Sequence, residues 1–303
     1  MTTDKLQATG PQEDAGRTPR APITLPPAMH HCSNGLPATN SWDEWHAARV
    51  QQALAPHGLA AVLATHWLGA EPVELPGLPG RWSADDYGVR VDGEVELTRV
   101  GGEPPQQDAD GWTIPFEARV ELAGQSLRIR PFVRVGEVGL RVTSPDAPAR
   151  AALTDLETYP FAQEWVLAGQ FEPVRNAHFV TRQTDGTVVA RVLAGRIHLW
   201  LDGAQHALAA TATPDGLFFT FWDPTRDATT SAFRFLETPA PEPDGRVILD
   251  FNRAYLPPAS FSDAYSCPLP PRANRLPVAV RAGENRQRYR TDGRPTTQNA
   301  DPG

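Results

Sequence analysis

The sequence predicts a mainly β protein: antiparallel sheets arranged as a sandwich or barrel, about ten to thirteen short strands, and one helix near the amino terminus. Three observations predict it. From Tyr87 onward apolar and polar residues alternate, as in "EVELTRV", "FEARVELAG", "SLRIRPFVRV" and "RVILDFNRAY", the pattern of strands with one buried face. Thirty-one prolines among 303 residues disfavour long helices, because each lacks an N–H and clashes with the preceding turn. Asp185–Gly186 and Asp202–Gly203 lie between alternating arms, where a glycine at positive φ permits a tight hairpin.

Taken in order, residues 1–40 are Thr, Pro, Gly and Ala punctuated by charge. They bury no periodic apolar face and are expected to be a disordered tail, with Met29 as an alternative start. Ser41 followed three residues later by Glu44 reads as a capping box. It opens a helix over "SWDEWHAARVQQALAPHG", with Trp42, Trp45, Ala48, Val50 and Leu54 on one face and Pro56 and Gly58 as the stop. "LAAVLATHWLG" (59–69) is too short to arbitrate between helix and buried strand. One β-rich domain is expected over 41–284, with strands in 87–143 and 164–284 as two sub-sheets, and a second disordered tail over 285–303.

A net charge of −8 argues against nucleic-acid binding, which needs a basic face to displace counterions. No window approaches 18 apolar residues, so no membrane span is expected. The amino-terminal stretch lacks a hydrophobic signal core, and Cys32 follows Met-His-His rather than the small residues that precede a lipid-modified cysteine. Two cysteines make no disulfide framework. The cytoplasm is the default location, and oligomeric state is left open.

Weak motifs have simpler structural readings. Across an Asp202–Gly203 turn Leu199 faces His206 and His198 faces Ala207, so the two imidazoles lie on opposite faces and cannot share a metal. Cys267 has no histidine after it and none upstream singled out by spacing, which favours a buried structural thiol over a nucleophile. "FWDPTRDATT" (221–230) resembles a metal loop, yet an Asp-Pro turn capped by side chains explains Asp223, Thr225 and Asp227. No phosphate loop, dinucleotide fingerprint, nucleophile elbow or zinc spacing is present. No cofactor and no metal are expected.

The informative stretch is "LDFNRAYLPPASFSDAYSCPLPPRANRLPVAVRAGE", 249–284. It resembles the terminal signature of the bacterial and archaeal family called domain of unknown function 1684, in which Asp-Phe-Asn-x-Ala-Tyr-Asn-Pro-Pro-Cys-Ala-Phe precedes Cys-Pro-Leu-Pro-Pro and Asn-x-Leu. Asp250, Phe251, Asn252, Ala254, Tyr255, Pro257, Pro258, Phe261, Cys267, Asn274 and Leu276 fit it. "FWDPTRDATTSAFRFLE", "YPFAQEWVLAGQF", "VRVGEVGLRVTS" and "THWLG" extend the resemblance over about 41–284. Leu256 and Ala259 stand where the family has Asn and its first Cys, so no two-cysteine site can form from this signature here. The resemblance implies a fold and a candidate site, and no reaction.

On a strand, Asp250 and Asn252 project to one face. If "SAFRFLE" pairs with this strand as a hairpin, Arg234 reaches Asp250, and a buried carboxylate needs such a partner. Tyr255 and Asn274 complete the candidate polar cluster: Arg234, Asp250, Asn252, Tyr255 and Asn274. The Pro-rich segment 256–272 has few donors and is expected to wrap over that face. It is either a structural clasp or the lid of a small-molecule pocket. Three functions follow: a binding protein for a small, anionic or amphipathic molecule; a cofactor-independent hydrolase or isomerase using Asp250 with Tyr255 or Arg234; and an interaction module presenting strands 87–143.

Overall fold

The computed structural model describes residues 41–134, 136–227 and 232–290. They are mainly β, with antiparallel pairing in every sheet. Helix α1 (Trp42–Leu54) begins on Ser41, whose Oγ accepts from the Glu44 N–H at 3.1 Å, satisfying one of the donors a helix start leaves open. Its buried stripe is Trp45, Arg49 and Ala53 rather than the expected tryptophan-to-leucine face. The ambiguous apolar run becomes one short turn (59–61) and then a strand.

That strand opens the amino-terminal half: β1 (Val62–Leu68), β2 (Val73–Glu74), β3 (Arg81–Ala84), β4 (Gly88–Asp92) and β5 (Leu97–Gly101). Next come β6 (Gln106–Gln107), β7 (Gly111–Pro115), β8 (Arg119–Leu122), β9 (Arg128–Arg134) and β10 (Glu137–Thr143). They form two five-stranded sheets, ordered β1-β10-β9-β8-β5 and β2-β3-β4-β7-β6. Trp82, Val89, Val91, Ile114, Val120, Ile129 and Leu140 pack between them, so the inner faces of the longer strands are apolar as in a sandwich.

A short helix α2 (Pro148–Ala152) and β11 (Leu153–Thr158) lead into a six-stranded sheet. Its strands are β12 (Val166–Arg182), β13 (Val188–Leu201), β14 (Ala204–Thr213), β15 (Gly216–Phe221), β16 (Arg234–Pro239) and β17 (Arg246–Asp250), ordered β16-β15-β14-β13-β12-β17. The end strands β16 and β17 approach one another, leaving the sheet nearly closed as a barrel. Ile197, Leu199, Leu208, Phe219, Phe221, Leu249 and Phe251 fill it. Asp202 and Gly203 take φ of 52° and 75° in a two-residue turn, with Leu201 opposite Ala204. His198 indeed pairs with Ala207 and His206 with Leu199. At the other hairpin Gly186 supplies the positive φ (84°) of a turn closed by Gln183 N–H to the Thr187 carbonyl.

Among the described residues there are eighteen strands, more than the ten to thirteen expected, and β12 and β13 run for 17 and 14 residues. Strands between 62 and 84 are punctuated by Pro and Gly and carry little alternation. β12 continues past Pro173 through a bulge at which Asn176 adopts φ 53°. The boundary expected at residue 285 is also corrected: β18 (Glu284–Tyr289) pairs with β11. Arg286 and Arg288 meet Glu157, and Tyr289 packs with Leu153 and Leu156, so this segment is a strand. The tails expected over 1–40 and beyond residue 290 lie outside the described residues.

Candidate functional site

The Pro-rich segment runs across the junction of all these parts. Leu256 and Phe261 pack with α1 and β11, Leu276 and Val280 enter the barrel core, and the Ser262 hydroxyl donates to the Val62 carbonyl. Its polar residues divide among separate contacts instead of forming the single cluster expected.

Arg234 does not take Asp250. It is fully buried and donates to Asp223 Oδ1 at 3.0 Å and to the carbonyls of Val280 and Ala282. Burial lowers its pKa and the charge of Asp223 opposes that shift. The other Asp223 oxygen accepts from Thr225 Oγ1 (2.8 Å) and from the Val280 N–H (2.8 Å). The expected hairpin fails for a simple reason. The open edge of β16 exchanges both backbone bonds with Tyr255, so β17 pairs with β12 instead.

Asp250 instead caps the turn that follows it. Its Oδ1 accepts from the Asn252 N–H and side-chain amide at 3.1 and 3.0 Å, and Oδ2 lies 3.4 Å from Arg253 Nε. Because that pair is partly exposed, Asp250→Asn should cost only about 0.5–1.5 kcal/mol by denaturant titration; a loss several times larger would restore a buried counter-charge role.

Asn252 and Asn274 perform one task at two places. Asn252 donates to the Ala162 carbonyl and accepts from the Ala162 N–H, both at 3.0 Å. Fully buried Asn274 does the same to Ala209 (2.7 and 2.9 Å) and also donates to the Thr220 carbonyl. An asparagine amide carries the donor and acceptor of a peptide unit, so it can stand in for a missing strand neighbour.

Tyr255 donates to Glu237 Oε1 at 2.7 Å, and the Arg49 guanidinium lies 4.7 Å from its ring centroid. Arg49 in turn forks onto Glu284 (2.7 and 2.9 Å) with both side chains fully buried. Burial disfavours the Arg49 charge, but Glu284 outweighs it and raises the pKa. Burial pushes the Glu237 carboxyl above its ordinary value, with the Tyr255 bond opposing. The native state then holds that proton more tightly than the unfolded chain, so stability should fall as pH rises through the raised pKa. Glu237→Gln keeps an acceptor for Tyr255 and should flatten that slope; an unchanged slope in the variant would assign it elsewhere.

Cys267 is buried among Trp45, Phe218, Phe233, Phe235 and Tyr255, and its Sγ accepts from the Ala259 N–H at 3.3 Å. Cys267→Ala should cost about 1–2 kcal/mol; rapid labelling by a thiol reagent in the native state would contradict burial.

Pro268, Leu269 and Pro271 roof a narrow cleft over Phe179, Thr181, Arg191, Phe218 and Thr220. It has room for about one water (about 10 Å³). The roof is tied down by the Leu269 N–H to the Arg182 carbonyl (2.8 Å) and Thr181 Oγ1 to the Leu269 carbonyl (2.7 Å). The Arg191 guanidinium lies 5.9 Å from the Phe218 ring centroid. Arg49, Glu237, Glu284 and Arg191 were not singled out by sequence, since each occupies a strand or helix position where a charge ordinarily signals solvent. No group of three or more metal-ligating side chains occurs among the described residues, and no helix is long and apolar enough to cross a membrane.

Residues 151–285 match the family model described as Protein of unknown function (DUF1684). Among solved structures, the uncharacterized protein from gene locus rrnAC0354 of Haloarcula marismortui is similar, with 30% identity over 44% of this chain and 76% of that one and a TM-score of 0.37. No curated protein matches the sequence significantly.

Proposed function

We propose that this protein, whose residues 151–285 resemble the DUF1684 family, binds a small molecule in the cleft beneath the Pro-rich segment. The observation that carries this reading is the cleft's mixed lining. Phe179 and Phe218 offer apolar faces, Thr181 and Thr220 are buried hydroxyl-bearing residues, and Arg191 brings a guanidinium to the same place. That combination suits an amphipathic ligand with an anionic group. Since the closed cleft admits about one water, entry requires the roof at Pro268–Pro271 to lift. The ligand would be met in the cytoplasm, with no role for nucleic acid or membrane.

The hydrolase or isomerase reading through Asp250 loses support, because Asp250 caps a turn and Arg234 is committed to Asp223. The carboxyl with the raised pKa is Glu237 on Tyr255, and an enzyme built on this fold would use that pair.

Native mass spectrometry of the chain purified from its own host tests the binding reading. The expected result is a retained small-molecule adduct that Arg191→Met removes while melting temperature stays within about 2 °C. No adduct, together with unchanged amide exchange at Leu269 when a host metabolite extract is added, would overturn it.

A further inference from the structure

The outer face of the sheet β1-β10-β9-β8-β5 breaks a rule that its own neighbouring rows obey. Arg128 lies opposite Glu121 and donates to it at 2.7 Å, and Arg134 lies opposite Glu137. Between these rows Arg130 lies opposite Arg141, and the β8–β9 register places Arg119 on the far side of Arg130. Like charges directly opposite on adjacent strands are destabilising, so three arginines abreast call for a counter-charge.

The protein supplies only part of one. Arg141 is sandwiched by the rings of Phe132 and Tyr265 at 4.8 and 4.6 Å, contacts that hold a cation without neutralising it. Exposed Glu117 is the carboxylate that acts on Arg130. Arg130 is exposed at its surface, yet partial desolvation by its neighbours and the charges of Arg141 and Arg119 keep its pKa below the ordinary value. Thr65 continues the row opposite Arg141. Its buried Oγ1 and the buried Arg141 Nε have no hydrogen-bond partner among the described residues. Two polar atoms beside crowded guanidiniums thus leave their hydrogen-bonding capacity unused within the described residues.

We propose that Arg119, Arg130, Arg141 and Thr65 form a binding site for a phosphate dianion, free or as the monoester of a small molecule or lipid headgroup. Planar guanidinium forks match phosphate oxygens in pairs, and the Thr65 hydroxyl adds a neutral donor. The site lies on the amino-terminal sandwich, apart from the cleft under Pro268–Pro271, and stands or falls independently of it.

Calorimetric titration of the full chain with inorganic phosphate, against sodium chloride at equal ionic strength, tests this. Saturable binding specific to phosphate is expected, weakened about tenfold by Arg130→Gln and less by Arg130→Lys, which keeps charge without the fork. Arg130→Gln relieves repulsion and should melt no lower than the parent; should it unfold, exposed Arg119→Gln gives the same reading. Phosphatidylcholine vesicles with and without phosphatidic acid form the second arm. Capture by phosphatidic acid alone assigns the phosphate to a lipid, and binding of free phosphate alone to a soluble ester. Neither ligand binding, or an affinity within about twofold in the glutamine variant, overturns the proposal.

Discussion

Replacing Asp223 with Ala is expected to destabilise the protein by about 3–5 kcal/mol, because it leaves the Arg234 charge buried without its carboxylate. The environment of that charge leaves little relief. Arg234 is 1% exposed, lies 5.0 Å from the Phe221 ring centroid, and makes its other hydrogen bonds to the Val280 and Ala282 carbonyls and Thr225 Oγ1, with the Glu284 charge acting on it more weakly than Asp223. The same substitution strips the Val280 N–H and Thr225 of their acceptor, and each buried orphan costs a further ~1–3 kcal/mol. At roughly 2–4 °C per kcal/mol for a chain of this size, the melting temperature should fall by about 10 °C or more. Arg234→Met alone leaves a carboxylate that still accepts from Val280 and Thr225, and should be milder. The double variant Asp223→Leu, Arg234→Met should recover part of the loss, limited by the carbonyls of Val280 and Ala282 that lose their donor. Denaturant titration of the three variants decides it. A loss below about 1 kcal/mol for Asp223→Ala would mean that water reaches Arg234.

How Asp223 acquired this role marks the limit of local sequence reading. Its carboxylate reads correctly as the cap of an Asp-Pro turn, and one oxygen does cap Thr225. Capping consumes one oxygen, and the second is what holds Arg234. Nothing in the spacing of residues 223 and 234 shows this, because the contact depends on where segment 280–282 is laid down. The pairing of Arg234 with Asp250 was a register inference, and register was decided by Tyr255 occupying the edge of β16. By contrast the alternation, the Asp202–Gly203 turn, the Ser41 cap and the opposed faces of His198 and His206 were legible. Each is a short-range consequence of strand period, positive φ or an open helix donor. The Pro-rich segment was expected to cover the face of Arg234 and Asp250, and it lies instead against α1, β11 and the cleft at Phe179 and Phe218. Its asparagines were legible as polar residues needing partners, though not as stand-ins for strands, since Ala162 and Ala209 carry no side-chain signal.

The buried pair of Arg49 and Glu284 was the least legible feature, and it should produce the largest effect. Arg49 occupies the position on α1 where an apolar residue would ordinarily mark the core, 235 residues from its partner. Glu284 sits at the end of the family signature, just where polar composition suggested a tail. Both are fully buried, joined by a fork at 2.7 and 2.9 Å, and Glu284 Oε2 also accepts the Leu256 N–H at 2.9 Å. The pair therefore ties α1 to β18 and to the start of the Pro-rich segment. Glu284→Ala should cost at least about 4–5 kcal/mol, leaving an unpaired buried cation and an orphaned backbone donor. Glu284→Gln retains an acceptor for Leu256 and should cost somewhat less. Arg49→Met should cost a comparable amount, because it strands the buried Glu284 carboxylate, whereas Arg49→Met combined with Glu284→Leu should recover part of that loss. A double variant no more stable than Arg49→Met, or a Glu284→Ala loss under about 1 kcal/mol, would show that the two side chains do not act as a buried pair.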